Sequence, residues 1–259
     1  MVTTAIGHFL IDAGTSTIGR LAQAGLRPDD LTAVFLTHLH DDHTVGLTDL
    51  LSFRYTSAIY GPPQAPLTII GPPGTHRLIT ALSAVLDVSG GIRRSENNSV
   101  GPPVAATVIA KEVGEGAVYD TPQLRVAAVE NTHYSDRGTR NPAGSASYSY
   151  RVETPEWAIG FTGDTGPSAA VTMLFDGVDA IVAEMVSDEL PEDFPPGVDP
   201  AALRAGHLRP SHVADMASGA RAGRVILSHY NEATPTDLST IGSAFNGPVT
   251  AGTDLLQPL

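Results

Sequence analysis

Three imidazoles and a carboxylate fall close together in Thr37-His38-Leu39-His40-Asp41-Asp42-His43, a His-x-His-x-Asp-His pattern holding three of the chain's nine histidines. The pattern directly follows the apolar run Leu31-Thr32-Ala33-Val34-Phe35-Leu36. That run reads as a buried strand, which places the cluster at a strand's carboxyl end, where α/β sheets carry ligand sites. Neutral imidazole and carboxylate suit zinc, iron or manganese, and no thiolate competes because the chain has no cysteine. His38 and His40, two residues apart, can reach one ion from an extended or tightly turned segment. Asp42 and His43 then point to a second position nearby.

Four further segments match this motif in kind and order. Phe9-Leu10-Ile11-Asp12-Ala13-Gly14 is a strand ending in Asp and Gly, and Asn131-Thr132-His133 carries an isolated histidine. Phe161-Thr162-Gly163-Asp164-Thr165 contains Gly-Asp-Thr, and Ile226-Leu227-Ser228-His229 is a strand followed by His. Together the five resemble the metallo-β-lactamase superfamily, on its ribonuclease-Z and arylsulfatase side, from about Phe9 to Leu255. The resemblance implies a four-layer αββα sandwich with metals at one edge, read here as one domain over residues 1–259. It also implies that His38, His40 and His133 hold one metal and that Asp42, His43 and His229 hold a second. Asp164 would bridge the pair, and Asp12 would support the ligands from behind. Two zinc ions per chain are expected, with manganese or iron as alternatives. Only eight residues precede Phe9, so the family's usual first strand is expected to be missing.

Two ions about 3.5–4 Å apart share a hydroxide, lower its pKa towards ~7 and polarise the bond under attack. The implied activity is hydrolysis by that bridging hydroxide, with Asp42 and His207 as the catalytic residues. A bridging carboxylate such as Asp164 favours the phosphodiesterase, arylsulfatase and lactonase members over true β-lactamases. His207, in Gly206-His207-Leu208-Arg209-Pro210, resembles a histidine that stabilises charge or donates a proton at the scissile group. Glu184 resembles the carboxylate that pairs with such a histidine, or is simply an acid at a strand end. His8 and His76 match no ligand, and His212 is expected to be an exposed helix residue. Tyr134 and Tyr148 are pocket-lining or strand residues.

Charge separates the substrate classes. The formal net charge is −13, the chain has 15 Lys and Arg in total, and the pair Arg93-Arg94 stands alone. A nuclease needs a basic surface or arm for the phosphate backbone. The expected substrate is therefore a small aryl sulfate, phosphodiester, ester or lactone, with nucleic acid an unlikely partner. A ribonuclease-Z-type tRNA 3′-processing endonuclease is the alternative, and a catalytically silent metal-binding or sensor protein is a third. No apolar run reaches the ~18–20 residues that span a membrane. A homodimer is possible. The first residues carry no basic stretch or apolar h-region, so the sequence as written reads as cytoplasmic, and as periplasmic or secreted if it derives from a longer precursor.

Strands and helices must alternate to position these groups. The pattern predicts strands over Leu67–Ile70, Gln123–Glu130 and Val178–Ala183, and a hairpin pairing Ser145–Val152 with Trp157–Phe161. It predicts helices from Thr75 to about Leu86, near Ala169–Phe175, and over Ser211–Arg221. Two stretches break the pattern, Val88–Pro122 and Ser187–Ala205. Both read as irregular segments that either wall the pocket or are solvated excursions. Phe194 is the large apolar residue of the second.

Overall fold

The run ahead of the histidine cluster is a strand inside a mostly parallel sheet. The structure, a computed structural model, describes residues 1–62, 64–96, 101–134, 144–189, 194–230 and 233–257. Its chain divides into two compact units, Met1–Val113 and Gly114–Leu259, each with its own sheet and helices.

In the first unit β1 (Val2–Thr4), β2 (Gly7–Ile11), β3 (Leu31–Phe35), β4 (Leu67–Gly71) and β5 (Val108–Glu112) pair in that order. β1 and β2 form an antiparallel hairpin within the residues ahead of Ile11, and all later pairings are parallel. Parallel neighbours need crossovers, which the helices α1 (Thr17–Gln23), α2 (Asp41–Thr44), α3 (Leu47–Tyr60) and α4 (Thr75–Glu96) provide. Val34, Leu67 and Ile69 of the sheet, and Leu36 just past the end of β3, pack with Leu47, Leu50, Leu51 and Ile79 of the helices, all buried. Each such aliphatic side chain contributes about 1.5–3 kcal/mol of burial free energy. The register places Ile11 opposite Phe35 and Phe35 opposite Ile70, so β2 and β3 end level. Asp12 and the His38 segment therefore leave the sheet side by side.

The helix predicted to stop near Leu86 runs on to Glu96. Ser89-Gly90-Gly91 looks like a breaker, but Gly90 serves packing instead. A Cβ there would lie 2.7 Å from Cε1 of Tyr55, so the missing side chain lets α4 approach α3. With β5 also inside Val88–Pro122, that stretch is largely regular, and its Asn97, Asn98 and Ser99 lie outside the described residues.

In the second unit the strands are β6 (Gly116–Asp120), β7 (Arg125–Glu130), β8 (Tyr148–Glu153), β9 (Ala158–Phe161), β10 (Ala180–Ala183), β11 (Val225–Leu227) and β12 (Val249–Ala251). Their spatial order is β12-β11-β10-β9-β8-β7-β6. β6 to β9 pair antiparallel and β9 to β12 parallel, and the expected hairpin closes with Glu153 opposite Ala158. The helices α5 (Ala169–Leu174), α7 (Pro210–Gly219) and α8 (Pro235–Ala244) bury Val171, Val213, Ala217 and Ile241 with Ile181, Val225 and Leu227 of the sheet. A short helix, α6 (Pro200–Ala205), interrupts the acidic, Pro-rich segment, whose Glu192 and Asp193 lie outside the described residues. Phe161 pairs with Val182 and Ala183 with Leu227, so β9, β10 and β11 end at one edge of the sheet. The antiparallel pairing of Glu130 with Tyr148 brings the end of β7 to that edge as well. The segments carrying His133, Asp164, Glu184 and His229 all start there.

Candidate metal centre

The first unit gathers His38, His40 and His43 around the end of β3. His38 is fully buried, and its Nε2 lies 3.0 Å from His40 Nδ1. The His38 and His43 rings have centroids 4.1 Å apart. Asp42 is exposed, with Oδ2 3.8 Å from His43 Nε2. Asp12 organises the group. Its Oδ1 accepts the Thr37 N–H at 2.7 Å, and its Oδ2 accepts the Thr37 hydroxyl and His43 Nδ1–H, both at 2.8 Å. A histidine whose Nδ1–H donates to a carboxylate presents its Nε2 lone pair, the form a metal requires. The geometry has a local cost, since Asp12 sits at φ +61°, a left-handed conformation that Asp tolerates better than most residues.

The second unit gathers His133, Asp164 and His207. One donor atom from each lies within 4.8 Å of the others, and all three residues are buried. His133 Nδ1–H donates to the Gly206 carbonyl at 2.9 Å, again directing Nε2 outward. Asn131 fixes the backbone there: its Oδ1 accepts the His133 N–H at 3.1 Å, and its Nδ2 donates to the Thr162 carbonyl. His229, at φ +50°, is more accessible than the rest, with Nε2 3.4 Å from Asp164 Oδ2.

Glu184 and His207 are a pair. His207 Nδ1 lies 3.2 Å from Glu184 Oε2, and 3.9 Å from Asp164 Oδ2. The His207 ring stands edge-on to His133, with centroids 5.0 Å apart. Glu184 Oε1 accepts the backbone N–H groups of Leu208 at 2.8 Å and Thr165 at 3.2 Å. Burial pushes the Glu184 carboxyl above its usual range, and the nearby Asp164 carboxylate adds to this, while the bonds from His207 and Leu208 act in the opposite sense. A carboxylate so placed is costly to ionise without a cation against it, and His207 is the neighbour able to become one.

Other histidines have structural partners. His8 Nδ1 lies 3.0 Å from the Thr3 hydroxyl across the hairpin. His76 is exposed, and its backbone N–H bonds Glu112. His212, expected to be exposed, is half-buried: its Nδ1 accepts the Arg209 N–H and completes the N-terminal cap of α7. Tyr134 packs beside His133, with ring centroids 4.9 Å apart, and Tyr148 is a buried strand residue. Sequence reasoning passed over Thr37, Asn131 and Thr165. Only Asn131 carried a local signal, two residues before His133.

The donor set fits a divalent transition metal. In each unit buried imidazoles stand beside carboxylates, and His43 in the first and His133 in the second use Nδ1 for a hydrogen bond, which leaves Nε2 as the nitrogen able to ligate.

Known proteins resemble this chain in sequence and in fold. A family model of the beta-lactamase superfamily domain matches residues 8–230. A ribonuclease Z of Mycobacterium sp. (strain KMS) is 32% identical over 225 residues, covering 86% of this chain and 74% of that protein. Among solved structures, the metallo-β-lactamase fold protein YhfI of Bacillus subtilis superposes with a TM-score of 0.69 at 15% identity, covering 95% of this chain and 85% of its own. The short form of human tRNase Z gives 0.60 at 22% identity, covering 96% and 86%. The mixed α/β architecture with two sheets is as expected from the motifs.

The expectation about nucleic acid is corrected. A relative at 32% identity is named a ribonuclease, so an acidic net charge does not make RNA an unlikely partner for this kind of chain. The physical reason is that net charge sums the whole surface, whereas a phosphate responds to the field within roughly a Debye length, about 8–10 Å. On the match over residues 8–230 and the ribonuclease Z identity, the chain belongs to the metallo-β-lactamase superfamily, whose members are metal-dependent hydrolases.

Proposed function

We propose that the protein is a metal-dependent phosphodiesterase of ribonuclease Z type, cutting the 3′ side of tRNA precursors. The observation that carries this reading is the 32% identity to a ribonuclease Z over 86% of the chain. The Glu184–His207 pair beside Asp164 supports it.

In this reading His38, His40 and His133 would hold one zinc ion and Asp42, His43 and His229 the other, with Asp164 contributing its carboxylate. Bound ions of this kind lower the pKa of water and withdraw charge from phosphoryl oxygens. The remaining work belongs to the chain. Asp12 and the Gly206 carbonyl keep His43 and His133 in the ligating tautomer. Glu184 holds His207 through Nδ1, leaving Nε2 to hydrogen-bond the oxygen that gains charge or to protonate it as it leaves, an effect of about 10²–10⁴-fold. The proposed hydrolysis calls on no serine as nucleophile, so no covalent enzyme intermediate is required.

The test is a substrate panel with metal-loaded protein. It comprises a precursor tRNA transcript with a 3′ trailer, a bis-aryl phosphodiester, an aryl sulfate, an aryl ester, a lactone and a cephalosporin, each with and without zinc. Cleavage of the transcript at the trailer junction is expected. Turnover of the sulfate, ester or lactone with the RNA left intact would refute the reading.

A further inference from the structure

Arg204 and Arg209 bracket the His207 turn, and both reach Asp188 in the acidic segment. Arg204 Nη2–H donates to the Asp188 carbonyl at 3.0 Å, and Arg209 Nη1–H donates to Asp188 Oδ1 at 3.4 Å. Leu208 is buried in the core of its unit, and Arg209 has an extended backbone at φ −100° and ψ 167°. Arg209 stands two residues after His207 in the chain. The Arg209–Asp188 pair is also accessible, its side chains 39% and 46% exposed. A pair so wetted is worth little and exchanges readily. A guanidinium fork accepts phosphate by the same geometry as carboxylate.

We propose that Arg209, backed by Arg204, is a subsite for an RNA phosphate flanking the scissile one, and that the Asp188 carboxylate occupies it until substrate displaces it. The inference rests on the ribonuclease reading above. It supplies the local positive charge that the net charge of −13 conceals. It also gives the acidic segment a role, because a carboxylate seated on the arginine disfavours weak anions and yields to a polyanion that brings several phosphates at once.

The two partners of a merely structural ion pair affect binding in the same direction when removed. A stand-in and its receptor affect it in opposite directions. Steady-state cleavage of the precursor transcript by the metal-loaded full chain, over a range of salt, separates these cases. Asp188→Asn is expected to lower KM about two- to fivefold, the scale of one surface ion pair. Arg209→Ala is expected to raise KM and to reduce the slope of log KM against log salt by about 0.7–0.9, one phosphate contact. Arg209→Lys keeps the charge without the fork and should fall between. Asp188→Ser replaces Asp188→Asn if thermal melting shows that variant to be unfolded. KM rising in both the Asp188 and Arg209 variants, or moving in neither, overturns the subsite and leaves the ribonuclease reading standing. RNA left uncut by both wild type and Asp188→Asn removes the two together.

Discussion

Asp12 offers the sharpest test of how the first unit prepares its histidines, because two substitutions there separate tautomer control from stability. Asp12→Asn preserves shape and tolerates the left-handed backbone at φ +61°. Its amide oxygen still accepts from Thr37, but its NH₂ now faces His43 Nδ1, where a carboxylate accepted at 2.8 Å. His43 then accepts at Nδ1 and carries its proton on Nε2, which removes the ligating lone pair. Loss of a supporting bond of this kind typically costs 10–100-fold in metal affinity. Asp12→Ala does something different. It leaves the buried Thr37 N–H and hydroxyl unpartnered by Asp12, at about 1–3 kcal/mol each, and adds about 1 kcal/mol of left-handed strain. At about 2–4 °C per kcal/mol for a chain of this size, Asp12→Ala should melt about 6–28 °C below wild type, and Asp12→Asn within a few degrees of it. Zinc titration, metal-free melting and ¹⁵N NMR of the His43 ring read the three effects separately. The reasoning fails if Asp12→Asn binds zinc like wild type with the His43 proton still on Nδ1. It also fails if the two variants melt together.

Asp164→Ala should abolish turnover and lower metal content from an expected two ions per chain while the fold persists; wild-type-like turnover would disprove the bridging assignment. His207→Ala should cut turnover about 10²–10⁴-fold with metal content unchanged, measured by elemental analysis beside kinetics. Loss of a metal in that variant would place His207 among the ligands instead. Glu184→Gln should reproduce part of that loss, since it keeps the hydrogen-bonding shape but removes the charge that stabilises an imidazolium, and a rate equal to wild type would sever the two residues functionally. Gly90→Val should destabilise by about 1–3 kcal/mol in a denaturant melt, because its Cβ would enter the Tyr55 ring's space; an unchanged midpoint would contradict the close helix approach.

The His-x-His-x-Asp-His motif was legible in the sequence because metal ligation demands particular residue types at short spacing, and strand β3 ahead of it because a buried parallel strand is a continuous apolar run. The hairpin at Glu153–Ala158 was legible from alternation alone. Helix α3 went unread, since it follows the motif without a break and its buried face, Leu47, Leu50, Leu51 and Tyr55, is interrupted by exposed Phe53. The end of α4 was misread because glycine is ambiguous in one dimension: it breaks a helix or lets another approach, and only Tyr55, distant in sequence, decides which. The same limit governs the site. The family resemblance nominated Asp12, His133, Asp164, Glu184 and His207, but which nitrogen each histidine presents depends on partners brought in by strand register, such as Asp12 for His43 and Gly206 for His133. Sequence composition also misjudged the partner, for net charge adds every residue equally. Only the tertiary structure decides which charges, such as Arg209 and Asp188, stand within a few ångströms of each other, because Coulomb interactions depend on distance in space and not on position along the chain.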